Sequence, residues 1–221
     1  MEIWLFFVTI LNMKSQKAFS CMTIKEQNLV RTLDTPEKVQ AYLNRCIPYN
    51  WEHSGESLQS FRSVVKSKTA HCLEATFFAA AILEHHGYEP LVLDMHSIDC
   101  LDHCLFLYQD KKTGLFGTVG VSREDELYGK KASFKTVRDV VMSYYDDYID
   151  ETACLESYVV INLDTIPYAN WRFSHRNVWK VENYLGELPH RFVRVSKKRY
   201  KKILAQYLKR SKENTTTLEA A

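Results

Sequence analysis

With 46% hydrophobic and 13% aromatic residues over 221 positions, the chain holds enough apolar side chain for one sizeable core, and its seven glycines and five prolines exclude collagen-like, low-complexity and disordered classes. Six irregularly spaced cysteines in a chain of this length exclude a small disulfide scaffold and favour reduced thiols in a cytoplasmic setting. The net charge of +2 is uneven: residues 190–212 carry ten Lys or Arg and no acid, whereas residues 1–189 hold 19 basic against 25 acidic side chains, a net −6.

Taken in chain order, the first feature is the apolar run Ile3–Leu11. It is about half the length that spans a bilayer, and Glu2 stands where an export signal carries Lys or Arg. Ala18–Cys21 is a poor lipoprotein-type cleavage site, and Met13 and Met22 are alternative starts, so no membrane span is expected. Residues 1–30 read as an N-terminal extension. Thr35 as N-cap and Pro36 at the first helical position open a helix to about Arg45. A loop through Trp51 and His53 and a short helix over Leu58–Val65 lead to KTAHCLEATFFAAAILEHHG, residues 68–87. Here Thr69 is the expected cap, and the run Leu73–Leu83 is apolar on every side, which predicts a helix buried all round and ended at Gly87.

Strands follow at 90–95, 104–109 and 116–122, the last two joined through the turn at Gly114 into a hairpin. A helix is expected over 134–149 behind Ser133, a strand over 157–163, and a helix over 177–185. Helices followed by mostly antiparallel strands with helical additions make an α+β pattern over residues 31–189. Residues 190–221 form a basic amphipathic helix and tail: Ser196 caps it, and Tyr200, Ile203, Leu204, Tyr207 and Leu208 make one apolar face. That helix either docks on the domain by this face or offers its cationic back to an anionic partner such as nucleic acid, lipid or an acidic protein.

Cys72 falls in the first turn of the buried helix, where free amides and the positive end of the helix dipole favour a thiolate and an oxyanion. A thiolate that cleaves amides also needs a proton donor for the leaving amine, usually His, and His103 opens the next hairpin strand. His71 is expected to point elsewhere, and His85 and His86 to sit as imidazolium at the helix end. Trp51 and His53 are candidates for lining a cleft. The run HSIDCLDHC brings four zinc-ligand types together, His96, Cys100, His103 and Cys104, but the consecutive pair His103 and Cys104 points to opposite strand faces, so no metal or cofactor is expected there. No GxGxxG, P-loop, HExxH or GxSxG signature is present.

At these residues a resemblance emerges. AHCLEATFFAAAILEHHGYEPLVLDM followed by DHCLFLYQDKKTGLFGTVGVS resembles the core of the transglutaminase-like superfamily, itself papain-like in layout. The resemblance covers roughly residues 60–125 and implies a papain/transglutaminase-like core in which the buried helix carrying Cys72 packs on an antiparallel sheet. It implies Cys72 as nucleophile, His103 as general base and acid, and a protein or peptide substrate cleaved or transferred as a cysteine peptidase, amidase or acyltransferase. The family's His-orienting Asp falls at Gly120, so Ser122, Glu124 or Asp125 is left to replace it, or the dyad works without an orienter. The alternative is a catalytically inactive relative that uses the cleft or the basic helix to bind protein or nucleic acid.

Overall fold

A computed structural model describes residues 18–98, 101–148 and 154–219, with side chains described as far as residue 209. The run Ile3–Leu11, Cys100 and the acids Asp150 and Glu151 lie outside these residues. Helices α1 (Ile24–Thr32), α2 (Pro36–Cys46) and α3 (Phe61–Ser67) precede α4 (Cys72–Leu83). Then come β1 (Leu91–Ser97), β2 (His103–Gln109), β3 (Phe116–Val119), α5 (Val137–Tyr144), β4 (Leu155–Asn162), α6 (Trp179–Glu187), β5 (Arg191–Phe192) and α7 (Lys197–Glu219). The strands form one antiparallel sheet in the order β3-β2-β1-β4-β5. The molecule is thus α+β.

Strand alternation divides the core in two. Val92, Cys104, Phe106, Tyr108 and Val119 face α4 and the N-terminal helices, while Leu93, Met95, Leu105 and Leu107 face α5 and α7. Every residue of α4 after Cys72 is buried, as its all-round apolar sequence predicts. Phe77 and Phe78 are fully enclosed, and each such side chain contributes roughly 1.5–3 kcal/mol by burial. The first turn of α4 is thereby held fixed by a packed helix.

Several boundaries differ from the sequence reading for identifiable reasons. Thr35 and Pro36 do open α2, and Ser196 does cap α7, accepting from the Arg199 N–H at 3.2 Å. The second hairpin strand stops at Val119, because the Gly120 amide turns to Gln40 Oε1 at 2.9 Å instead of continuing the ladder. Helix α5 begins at Val137, since Thr136 and Asp139 form a capping box and displace Ser133 from that role. Gly114, at φ +69°, supplies the left-handed residue that the β2–β3 turn requires.

The segment from residue 190 joins this body: β5 pairs with β4, Ile203 of α7 is buried, and Tyr200 and Leu204 pack beside it. No helix among the described residues is long and apolar enough to cross a membrane. Cys21, Cys46, Cys72 and Cys104 are free thiols.

Candidate active site

The entry to α4 is fixed from both sides. The 48–50 loop bonds to Ala70 through Ala70 N–H to Pro48 O at 3.2 Å and Asn50 N–H to Ala70 O at 3.0 Å. His71, not Thr69, is the N-cap, with Nδ1 accepting from the Leu73 N–H at 3.3 Å. Glu74 completes a capping box by accepting from the His71 N–H at 2.9 Å. The Glu74 carboxylate is fully buried and takes further bonds from the Ser57 hydroxyl at 2.9 Å and the Gln59 N–H at 2.7 Å, with Asn50 and Gln59 side chains at 3.3 Å each. Five donors meet one buried carboxylate, which locks loop 50–59 to the first turn. Cys72 is the first residue after the cap, half-buried, and its N–H has no acceptor among the described residues.

Cys72 and His103 are brought together. Burial alone would raise the Cys72 thiol, but hydrogen bonding to His103 and His71 and their charges bring it down to about 5. Cys104, fully buried behind it, goes the other way. Burial pushes it well above the usual thiol range, and the Asp94 carboxylate and the Cys72 sulfur add to that. One of these two cysteines is poised as a thiolate and the other is kept a thiol.

His103 is buried, and its Nε2 lies 2.8 Å from the Leu127 carbonyl oxygen. A carbonyl only accepts, so Nε2 carries the proton and Nδ1 is the nitrogen left to exchange a proton with the sulfur. The carbonyl is itself held. Leu127 ends a 3-10 turn at Asp125–Leu127, Gly129 N–H returns to the Gly120 carbonyl at 3.1 Å, and the Tyr144 hydroxyl donates to the Tyr128 carbonyl at 3.0 Å. The Tyr144 ring stands edge-on to the His103 ring at 6.4 Å. The orienter is therefore main chain. None of Ser122, Glu124 or Asp125 supplies it, and a carbonyl leaves no trace in side-chain sequence.

Gly120 is held by close packing. A Cβ there would come within 2.6 Å of Leu105 Cδ2, and Gln40 clamps the residue from both sides, its Nε2 donating to the Gly120 carbonyl at 2.9 Å.

His71 was expected to point away and does not. Burial opposes charge on its ring, while the Cys72 sulfur and Glu74 favour it and bring it up to about 9. Its hydrogen bonds argue for the neutral ring, because Nδ1 accepts from the Leu73 N–H and Nε2 faces the Ser57 carbonyl at 3.0 Å. A proton on Nδ1 would break the cap, so the imidazolium that pairs with the thiolate is assigned to His103. His85 also departs from expectation: burial, followed by the Arg172 charge, lowers it to about 4, so it stays neutral at the helix end.

Both site residues open onto a cleft of about 770 Å³. Tyr49 and Glu52 line it, whereas Trp51 and His53 do not. Burial, with the Cys72 sulfur next, raises Tyr49 to about 12, so its hydroxyl stays a neutral donor. The walls are acidic: among the described residues Glu52, Glu56, Asp102, Glu124, Asp147 and Glu182 line the cleft against a single arginine, Arg123.

A second group adjoins the first. Asp94 Oδ2 lies 3.2 Å from both His96 Nε2 and His190 Nε2, and Asp94 Oδ1 accepts from the Cys104 thiol at 3.2 Å. Burial of Asp94 is outweighed by these bonds, which bring it down to about 2, so it is an ionised carboxylate. Sequence reasoning missed Asp94 and His190. Alternation along β1 places Asp94 and His96 on one face, but nothing in the sequence brings His190 to them.

In sequence the chain matches no family model and no curated protein.

Proposed function

We propose that this protein is a transglutaminase-like cysteine enzyme that acts on a carboxamide or peptide bond through Cys72 and His103. The observation that carries this reading is the placement of a first-turn thiol in one cleft with a buried imidazole whose far nitrogen is spent on Leu127; hydrogen bonding to that ring holds the thiol below its usual range. The finer fold assignment rests on the same elements: Cys72 opens the buried helix, β1 follows, and His103 opens β2 of an antiparallel sheet.

In the first step the Cys72 thiolate attacks the carbonyl carbon, and the resulting oxyanion is met by the free Cys72 N–H at the helix N-terminus. Collapse breaks the carbon–nitrogen bond while His103 Nδ1 gives its proton to the leaving amine, leaving a thioester on Cys72. Water or an acceptor amine then attacks the thioester, His103 takes the incoming proton, and the thiolate departs. The Leu127 carbonyl keeps the ring in the tautomer that both steps use. The glycine at position 120 favours a binding module, and the main-chain acceptor at Leu127 supports the catalytic reading instead.

The acidic walls favour a cationic peptide or amine. The test is incubation with a carboxamide-bearing basic peptide and a primary amine, read by mass spectrometry. The reading expects an acyl adduct on Cys72 and a hydrolysed or amine-linked product, both lost in Cys72→Ala and in His103→Ala. Product formation that survives either substitution contradicts it.

A further inference from the structure

Asp94, His96 and His190 offer three ligand atoms that all lie within 4.8 Å of one another. Asp94 and His96 project from β1 beside the bulge at His96/Ser97, and His190 arrives from the turn between α6 and β5. Both imidazole Nε2 atoms stand 3.2 Å from Asp94 Oδ2. That spacing exceeds the roughly 2.7–2.9 Å of a charge-assisted hydrogen bond. It matches the separation of about 3.3 Å that bonds of about 2.0–2.1 Å impose on two ligands of a tetrahedral zinc.

An independent feature points the same way. His190 Nδ1 lies 2.8 Å from the Leu188 carbonyl and so donates to it, which fixes the ring with its other nitrogen, Nε2, aimed at Asp94 Oδ2. His96 aims a second nitrogen at the same oxygen, with its ring stacked on His190 at 3.8 Å between centroids. The bond to the Leu188 carbonyl and the Cys104 thiol on Asp94 Oδ1 are the kind of outer contacts that orient metal ligands.

We propose that Asp94 Oδ2, His96 Nε2 and His190 Nε2 bind a divalent first-row transition metal, zinc by the nature of the donors. Two imidazoles and a carboxylate suit this class, and three protein ligands leave a coordination position for water or substrate. Asp94 and His96 line the cleft that holds Cys72, so the metal adds positive charge to an otherwise acidic wall. The zinc grouping visible in the sequence is thereby rearranged. Of its described members, His103 is committed to Leu127 and Cys104 to the second carboxylate oxygen, and His96 is kept.

The proposal stands apart from the acyl-transfer reading and is tested without activity. Cobalt(II) is titrated into the metal-free full chain and followed by its visible d–d absorption, alongside the zinc-dependent rise in Tm. One equivalent should bind saturably in the wild type and equally in Cys72→Ala, while His96→Ala, at a quarter-exposed position, binds on the order of tenfold more weakly or worse. If His96→Ala fails to fold, the zinc-dependent Tm rise of the wild type against that of His190→Gln decides the matter. Absence of saturable binding by wild type overturns the proposal. So does a sulfur-to-cobalt charge-transfer band that disappears in Cys72→Ala or Cys104→Ala, since the metal would then sit on thiolate.

Discussion

His103 Nε2 donates to the Leu127 carbonyl at 2.8 Å, and this one bond sets the direction in which the ring hands over its proton. An orienter made of main chain has no side chain to remove. The variant Ser122→Ala/Glu124→Gln/Asp125→Asn should therefore keep the low titration midpoint of Cys72, measured as the pH dependence of alkylation. A midpoint that climbs toward ordinary thiol values in that variant would assign the orienting role to one of the three side chains.

Gly120→Asp should not improve the site. The new Cβ comes within 2.6 Å of Cδ2 of the fully buried Leu105, a clash of the kind that costs about 1–3 kcal/mol. Denaturant unfolding should show that loss, and Gly120→Ala should show it too, since the Cβ and not the carboxylate is at fault. Equal stability of Gly120→Ala and wild type would contradict the packing.

The buried Glu74 carboxylate ties loop 50–59 to the first turn of α4. Glu74→Ala strands the His71 N–H, the Ser57 hydroxyl and the Gln59 N–H in a dry site, and loss of a buried charged acceptor costs about 3 kcal/mol or more. The same unfolding measurement should place it among the most destabilising single substitutions in the helix, beside Phe77→Ala or Phe78→Ala at roughly 3–5 kcal/mol.

His71 and His103 both face Cys72, and only one is assigned the proton. Because Asn also caps helices well, His71→Asn should fold and should raise the Cys72 midpoint by less than His103→Ala does. The reverse order, read from site-resolved alkylation, would make His71 the ion-pair partner.

Much of this was legible in the residues. The apolar circumference of Leu73–Leu83, the Thr35–Pro36 signal, the Gly114 turn and the Ser196 cap each act within a few positions, so pattern alone places them. What pattern does not reach is long-range or main-chain. The Leu127 carbonyl is chemically identical to every other carbonyl in the chain, and His190 meets Asp94 across 96 positions. The cap at His71 was missed because imidazole is an uncommon N-cap, and Thr69 lay nearby with a hydroxyl better suited to the part. Gly120 shows the same limit, since nothing in the sequence tells that a Cβ there would meet Leu105.

The central claim is that Cys72 is a thiolate because His103 pairs with it, and site-resolved iodoacetamide alkylation between pH 4 and pH 9 tests it most directly. A lowered thiol pKa keeps the reactive form populated down to that pKa, so the Cys72 rate should hold well below the reference thiol value of about 8.5 before it falls. In His103→Ala the Cys72 midpoint should move up toward that reference. A wild-type Cys72 that titrates at the reference value, or a midpoint that His103→Ala leaves in place, would contradict the account.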